Sequence, residues 1–457
     1  MKKIGLSLVA VLIIISGCKQ QSDKEILEEL LHNTVKVYQL MRTDNGFYRD
    51  YISTEESTDR GSTASIGMGL VAQCVAVEMG WNDDAEEEII ETLQSVLGEN
   101  DQGVELARTA ENCFIHFYDI ATGEAIGSDW SPIDTDILIS GALFAKRYFH
   151  QNEVIGQYVD QLFNMVNHDL FIGDWKKGQI ALVMDEDGAA RGSYTLPYNE
   201  YMIVAWLAKN KAKKADAPAN LLWEAYYGNP EVLPVAQYTS KSGEVFNVMT
   251  DHKNNNEFTS NFTFMFNYLF VHEFTVSPIY QEAMRQAALA DYAWWNDRDD
   301  LNEIGKRSYE WGTTAGVGLQ QNGDGWKEGY TVDRICGRED IDTDRDRNRG
   351  LNVAISALAG YSPVLPDLVR KDLLSVYKDP RGIGKMALPA KDGISAGNDT
   401  ILWKYSYRDI DWRPTKVEGV DYCAMLLGLA ALPELLGVEF FQEYNNFFSP
   451  AMPDYRR

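Results

Sequence analysis

The sequence predicts an all-α protein: an (α/α)6 toroid of about twelve helices, with a small β-hairpin and long loops framing a cleft. Three observations lead there. Apolar residues recur at helical spacing along most of the chain. The helical stretches follow one another with no fixed repeat period, which disfavours a solenoid. The chain has 457 residues, 45% hydrophobic and 12% aromatic, enough to bury one large core. At ~100–200 residues per domain two or three domains would be usual; helices paired into a ring replace them with one.

Taken in order, Lys2 and Lys3 form a positive n-region, and Ile4 to Ile15 form an apolar run too short to cross a bilayer as a helix. The run ends in Ile15-Ser16-Gly17-Cys18, which resembles the bacterial lipobox, so residues 1–17 are expected to be a lipoprotein signal peptide. Cys18 would carry the lipid on a short tether, 18–24. Lys19 gives no inner-membrane retention signal, so the expected location is the cell envelope, at the outer membrane. Ser22-Asp23-Lys24-Glu25 is a capping box opening a helix whose apolar face runs from Leu27 to Met41. Small residues crowd Thr63–Met79, as in a helix packed closely inside a core. Asn82 or Asp83 caps a third helix with Ala85, Ile89, Leu93 and Val96 on one face. Further helices fit Pro132–Phe149, Glu153–Asn167, Pro197–Asn210, Ala217–Tyr227, Phe258–Phe270, Ser277–Trp295, Leu351–Gly360, Leu365–Tyr377 and Val420–Leu436. Between them Ile180–Asp185 turns at Asp187-Gly188 toward Gly192–Leu196 as a hairpin, and Asn296–Arg349 reads as a long loop. A loop of that length inside a domain is usually functional, and this one carries Tyr309, Trp311, Trp326 and Tyr330.

A formal charge of −26 disfavours nucleic acid and anionic surfaces as partners and leaves a neutral substrate unopposed. Eleven Trp and twenty-four Tyr lean toward carbohydrate, because flat aromatic faces stack on sugar rings. Apart from Cys18, four cysteines remain: Cys74, Cys113, Cys336 and Cys423. They allow three complete disulfide pairings; Cys74 and Cys423, in apolar helical stretches, read as buried thiols. There is no CxxC or HExxH, so no metal or other cofactor is expected. Asp340, Asp342, Asp344 and Asp346 alternate as in a calcium loop, but the glycine and final glutamate of an EF-hand are missing. Arg338, Arg345, Arg347 and Arg349 lie among them, which favours a solvated charged loop.

Two carboxylates stand out by their settings. Ser131-Pro132-Ile133-Asp134 reads as an N-cap, a proline at the first helical position and an acid at the third, so Asp134 is either a capping acid or a cleft acid. Glu200, in Leu196-Pro197-Tyr198-Asn199-Glu200-Tyr201, falls in a helix first turn, where the macrodipole favours an acid. Neighbouring Tyr194, Tyr198 and Tyr201 could raise its pKa by desolvation. Glycoside hydrolysis needs two acids facing a sugar, one protonated and one ionised.

Several segments then resemble one family. They are Gly61-Ser62-Thr63-Ala64-Ser65-Ile66-Gly67-Met68-Gly69-Leu70, Cys113-Phe114-Ile115-His116-Phe117-Tyr118-Asp119, Ser131-Pro132-Ile133-Asp134-Thr135, Tyr198-Asn199-Glu200-Tyr201 and Tyr309-Glu310-Trp311-Gly312-Thr313. In order and spacing they are similar to the bacterial glucoamylase-like domain, which includes the endo-β-1,2-glucanases, over roughly residues 25–445; residues 446–457 would be a C-terminal tail. The resemblance implies an (α/α)6 fold and inverting hydrolysis of β-1,2-glucan, with Glu200 as the acid and Asp134 in the adjoining subsite. Gly419-Val420-Asp421 matches a late motif of the domain, whose next residues differ from Tyr422-Cys423, and makes Asp421 the alternative base. Asp136 stands where the family has an apolar or small residue, and His272-Glu273-Phe274 also departs from it. Candidate sugar contacts are Asp129, His116, Tyr194, Tyr198, Trp311, Trp326 and Tyr330. The expected protein is a monomeric, lipid-anchored glycoside hydrolase acting on a neutral β-glucan. A non-catalytic glycan-binding lipoprotein and a polysaccharide lyase are the alternatives, the lyase disfavoured because uronate substrates call for a basic cleft.

Overall fold

The computed structural model describes residues 21–252, 256–390 and 396–449. Cys18 and the segment before it lie outside them. Among the described residues there are fifteen α-helices and seven two-stranded antiparallel sheets. Six helices are buried along nearly their whole length: Thr63–Glu78, Pro132–Tyr148, Met202–Lys211, Phe262–Phe270, Ile355–Gly360 and Gly419–Ala430. Six others precede them in the chain and keep a solvent face: Asp23–Met41, Ala85–Leu97, Glu153–Met165, Pro218–Leu222, Pro278–Asn296 and Pro366–Lys378. The first set is the inner ring of an (α/α)6 toroid and the second its outer ring. Three short helices, His272–Val276, Asp299–Glu303 and Val438–Tyr444, account for the excess over the expected twelve.

The inner helices are apolar all round because protein surrounds them on every side. Their small residues set the spacing. A Cβ on Gly141 would stand 2.1 Å from the Gly67 carbonyl oxygen, and one on Gly67 would stand 2.2 Å from that of Ile137, so the two helices touch backbone to backbone. Gly428 lies against the Ala359 carbonyl in the same way. The outer helices are amphipathic, and the first carries the expected capping box between Ser22 and Glu25. The ring closes where its first outer helix meets its last inner one. Tyr51–Ser53 pairs with Lys416–Glu418, and the Tyr38 hydroxyl donates to the Gly419 carbonyl over 2.8 Å.

Some sequence expectations need correction. The third helix begins at Ala85 after Asp84, and Asn82 instead binds Gln73 and Glu88. The helix expected from Pro197 starts only at Met202, because residues 197–201 form a turn. The 180–196 hairpin is reduced to Ile180–Ala181 paired with Tyr194–Thr195. The loop 296–349 is not structureless: Ala315–Asn322 and Gly325–Val332, eight residues each, form a hairpin. Its acidic run is not simply solvated, since the fully buried Arg298 reaches Asp300, Asp342 and Asp346. All four described cysteines are free and buried. The expected tail starts packed, with Phe447 5.4 Å from the Trp206 ring.

Candidate active site

The residues just before or within the first turn of several inner helices gather at one end of the ring. Asp134 occupies the third position of Pro132–Tyr148, and the Ser131 hydroxyl accepts its backbone N–H at 3.3 Å. The acid is thus capped but its side chain is free to do more, and it accepts the His116 Nδ1 at 2.8 Å. Burial pulls the His116 pKa down, but the charge and hydrogen bond of Asp134 raise it by more, with a further push from Asp50. Asp134 is 6% exposed, whereas the imidazole keeps 38% of its surface open at the mouth.

Glu200 sits on the turn that enters Met202–Lys211. Asn199 holds that turn: its side chain donates to the Leu196 carbonyl and accepts the Tyr201 N–H at 3.1 Å. Asn267, from the next inner helix, donates to both the Asn199 carbonyl and the Tyr198 hydroxyl at 3.1 Å. The backbone that carries Glu200 is therefore fixed from behind, and the residue is only partly exposed. Burial and the like charge of Asp251 push its carboxyl up to about 7, against its own backbone N–H. The Tyr201 ring lies where both Glu200 and Asp134 act on it, so the two acids share one side of the mouth.

Asp421 stands in the first turn of Gly419–Ala430, 5% exposed, and accepts the Tyr330 hydroxyl at 3.3 Å. Burial raises it to about 6; Lys404 and Tyr330 oppose the shift and Asp50 adds to it. Asp50 is held by Arg60 at 2.6 Å and acts on both His116 and Asp421, linking the two sides of the site. Arg60 in turn lies 4.4 Å from the Phe117 ring.

The other expected contacts divide. Tyr330 and Trp326 lie on the exposed strand of the 315–332 hairpin; the Trp326 ring is 4.9 Å from the Arg408 guanidinium. Tyr194 is partly exposed beside Gly173. Asp129 is exposed and its carboxylate pairs with Arg191 at 2.8 Å, while its backbone carbonyl accepts the His116 N–H at 2.9 Å. Tyr198 is fully buried, packed among Phe264, Phe274 and Tyr280. Trp311 is fully buried too, donating to Asp372 at 2.9 Å and stacked on Tyr361. Neither ring has a face left for a ligand, so both are core side chains that hold the site's walls. Asp136 belongs to no cleft: it pairs with the buried His168 at 2.9 Å. His272 faces Asn445 at 3.1 Å.

Sequence reasoning missed Lys404, Glu418, Asp333 and Asp50. Two signals were present. Lys404 is a lone cation inside Ile401-Leu402-Trp403-Lys404-Tyr405, and Glu418 stands three residues before Asp421 at a helix entrance. Among the described residues no group of His, Cys, Asp and Glu could hold a metal ion. A rim groove of about 890 Å³ lined by Lys36, Arg42, Asn45 and Arg49 contains none of the candidate acids.

No family model matches the chain, and no curated protein resembles it in sequence. Solved structures do resemble it. An endo-β-1,2-glucanase from Chitinophaga pinensis, bound to sophorotriose and glucose, superposes with a TM-score of 0.70 at 15% identity, over 93% of this chain and 95% of that one. A β-1,2-glucanase from Parabacteroides distasonis gives 0.69 at 15% identity, over 93% of this chain and 60% of that one. An endo-β-1,2-glucanase from Talaromyces funiculosus with sophorose gives 0.56 at 12% identity, over 94% and 93%. The chain therefore has the glucoamylase-like α/α toroid fold of these glucanases, with its acids gathered at one end of the ring.

Proposed function

We propose that the protein is a glycoside hydrolase that cleaves β-1,2-linked glucan internally, with inversion at the anomeric carbon. The observation that carries this reading is the division of labour between two buried acids at one mouth. Glu200 remains protonated up to about 7, and Asp421, raised only to about 6, is already ionised between about 6 and about 7. An inverting hydrolase needs that pair. In the reaction Glu200 gives its proton to the glycosidic oxygen as the C1–O bond breaks. A water adds to C1 from the opposite face and its proton passes to Asp421. The two carboxyls then exchange their protons with solvent. Asp134, already engaged by His116, is the sugar-positioning acid rather than the base.

The fold likeness to β-1,2-glucanases supports the linkage, and the charge of −26 supports a neutral glucan over a uronate polymer. Export and lipid attachment at Cys18 belong to the same proposal, supported by the apolar run and the Ser16-Gly17 pair before it. The deciding experiment incubates the purified protein with β-1,2-, β-1,3- and β-1,4-glucans and follows products by mass and by anomeric proton NMR. Short β-1,2-linked oligosaccharides released first as the α-anomer are expected. Binding without release would favour a glycan-binding protein, and an unsaturated product a lyase.

A further inference from the structure

Behind the Asp421 carboxyl lies a charged cluster that the proposed reaction does not itself use. Lys404 is fully buried, and its ammonium donates to the Thr314 and Ala315 carbonyls at 3.0 and 2.6 Å. The backbone then passes through Gly316 at φ +114°, where a Cβ would stand 3.2 Å from the Lys404 Nζ and 3.3 Å from the Asp421 Cγ. Both the ammonium and the carboxyl thus border Gly316, where a side chain would be strained by the positive φ and would crowd the two groups. Glu418, one turn before Asp421, is 6% exposed, and no side chain donates to either of its buried carboxyl oxygens. Asp333 completes the cluster, held by the Thr331 hydroxyl at 2.7 Å and the Asn352 amide at 3.0 Å.

Three buried carboxyls thus surround one ammonium. Ionising all three would leave two uncompensated negative charges out of water, which costs several kcal/mol per charge. Asp333 has two side-chain donors and Asp421 has the Tyr330 hydroxyl, whereas Glu418 has only backbone N–H groups, its own and that of Val317. Glu418 is therefore the group that stays neutral.

We propose that Lys404 and Glu418 are positioning residues that set the charge of Asp421: Lys404 is the fixed cation that keeps the Asp421 carboxylate ionised, and Glu418 is the neutral acid beside it. The inference rests on the reading of Asp421 as the base. It accords with the directions of the shifts: burial and Asp421 raise Glu418 to about 8 against Lys404 and the Glu418 and Val317 backbone N–H groups, and burial lowers Lys404 against the pull of Asp333, Asp421 and Glu418. The remaining groups facing Asp421 are Asp50, itself bound to Arg60, and the buried Tyr38 and Cys423, both held neutral by burial.

The test titrates the chain labelled with 13C at its aspartate carboxyls, the Asp421 signal being the one lost in Asp421→Asn. The wild-type signal should show two inflections, one near Asp421's own pKa and one where Glu418 ionises. Glu418→Gln should abolish the upper inflection and leave the lower one in place. Lys404→Met should move the lower one up by about one unit, the low end for losing an opposite charge. Lys404→Arg should restore it. The acidic limb of kcat/KM should follow the same order. A Glu418→Gln protein that keeps both inflections, or a Lys404→Met protein whose lower inflection stays put, overturns the proposal; if Lys404→Met does not fold, Glu418→Gln decides alone. An inactive wild type with these titrations intact would instead overturn the hydrolase reading.

Discussion

A carboxyl at a helix entrance is ordinarily ionised, because the helix dipole favours the anion. Glu200 departs from that rule because the turn seats it among Tyr201, Tyr227 and Asp251, where desolvation and a like charge outweigh the dipole. Glu200→Gln should lower kcat by at least ~100-fold, the lower bound for losing a general acid, while binding of an oligosaccharide persists by calorimetry. The same substitution has a stability signature. A carboxyl raised in the folded state contributes stability that is full below its unfolded pKa and is lost as pH rises through the folded value, here about 7. The melting temperature of the wild type should therefore fall relative to that of Glu200→Gln as pH rises from about 4.5 to about 7. The two tryptophans of the 296–349 segment make a contrasting pair. Trp326→Ala should raise KM several-fold with an unchanged melting temperature, because its ring is exposed beside Arg408. Trp311→Ala should instead destabilise by about 3–5 kcal/mol, as loss of a buried aromatic does, read by denaturant unfolding.

At the level of elements, the helices were legible because burial imposes a period on them. Thr63–Glu78 shows Gly and Ala at many of the positions where another backbone approaches, and the amphipathic outer helices show their solvent face directly. Strands were harder to see. The 315–332 hairpin begins Ala315-Gly316-Val317-Gly318-Leu319, too glycine-rich to read as a strand, since Gly316 and Gly318 are there to let Lys404 and Asn352 approach. Glu200 was placed inside a helix because the turn 197–201 depends on Asn267, 67 residues away from Glu200 in the chain and invisible to local pattern. Asp134 was legible as the acid of a capped first turn, since Ser131-Pro132 fixes the cap, whereas its partner His116 comes from elsewhere in the chain. The glycine contact between inner helices supplies a direct check. Gly141→Ala, its Cβ forced to within 2.1 Å of the Gly67 carbonyl, should destabilise by about 1–3 kcal/mol, measured by urea unfolding. The mouth would be disturbed with it, because Asp134 rides on the same helix.

For the whole molecule, the proposed mechanism makes activity depend on two opposing ionisations. Below about 6 Asp421 takes up a proton and ceases to be a base; above about 7 Glu200 loses the proton it must donate. The pH profile of kcat/KM should be a narrow bell with its maximum between those limits, and Glu200→Gln should remove the alkaline limb from whatever activity remains. A broad plateau reaching pH 9 would exclude Glu200 as the acid.

The toroid also has a polarity that bears on how it meets a polymer. The first outer helix ends at Met41, close to the Asp50–Arg60 pair at the mouth, and its nineteen residues rise about 28 Å along the ring axis. Ser22 therefore leaves the molecule from the face opposite the acids. A leash attached upstream of Ser22 would act as the stem of a cup, holding it by the base with the opening turned outward. A long polymer could then thread across the rim unobstructed by whatever holds the stem.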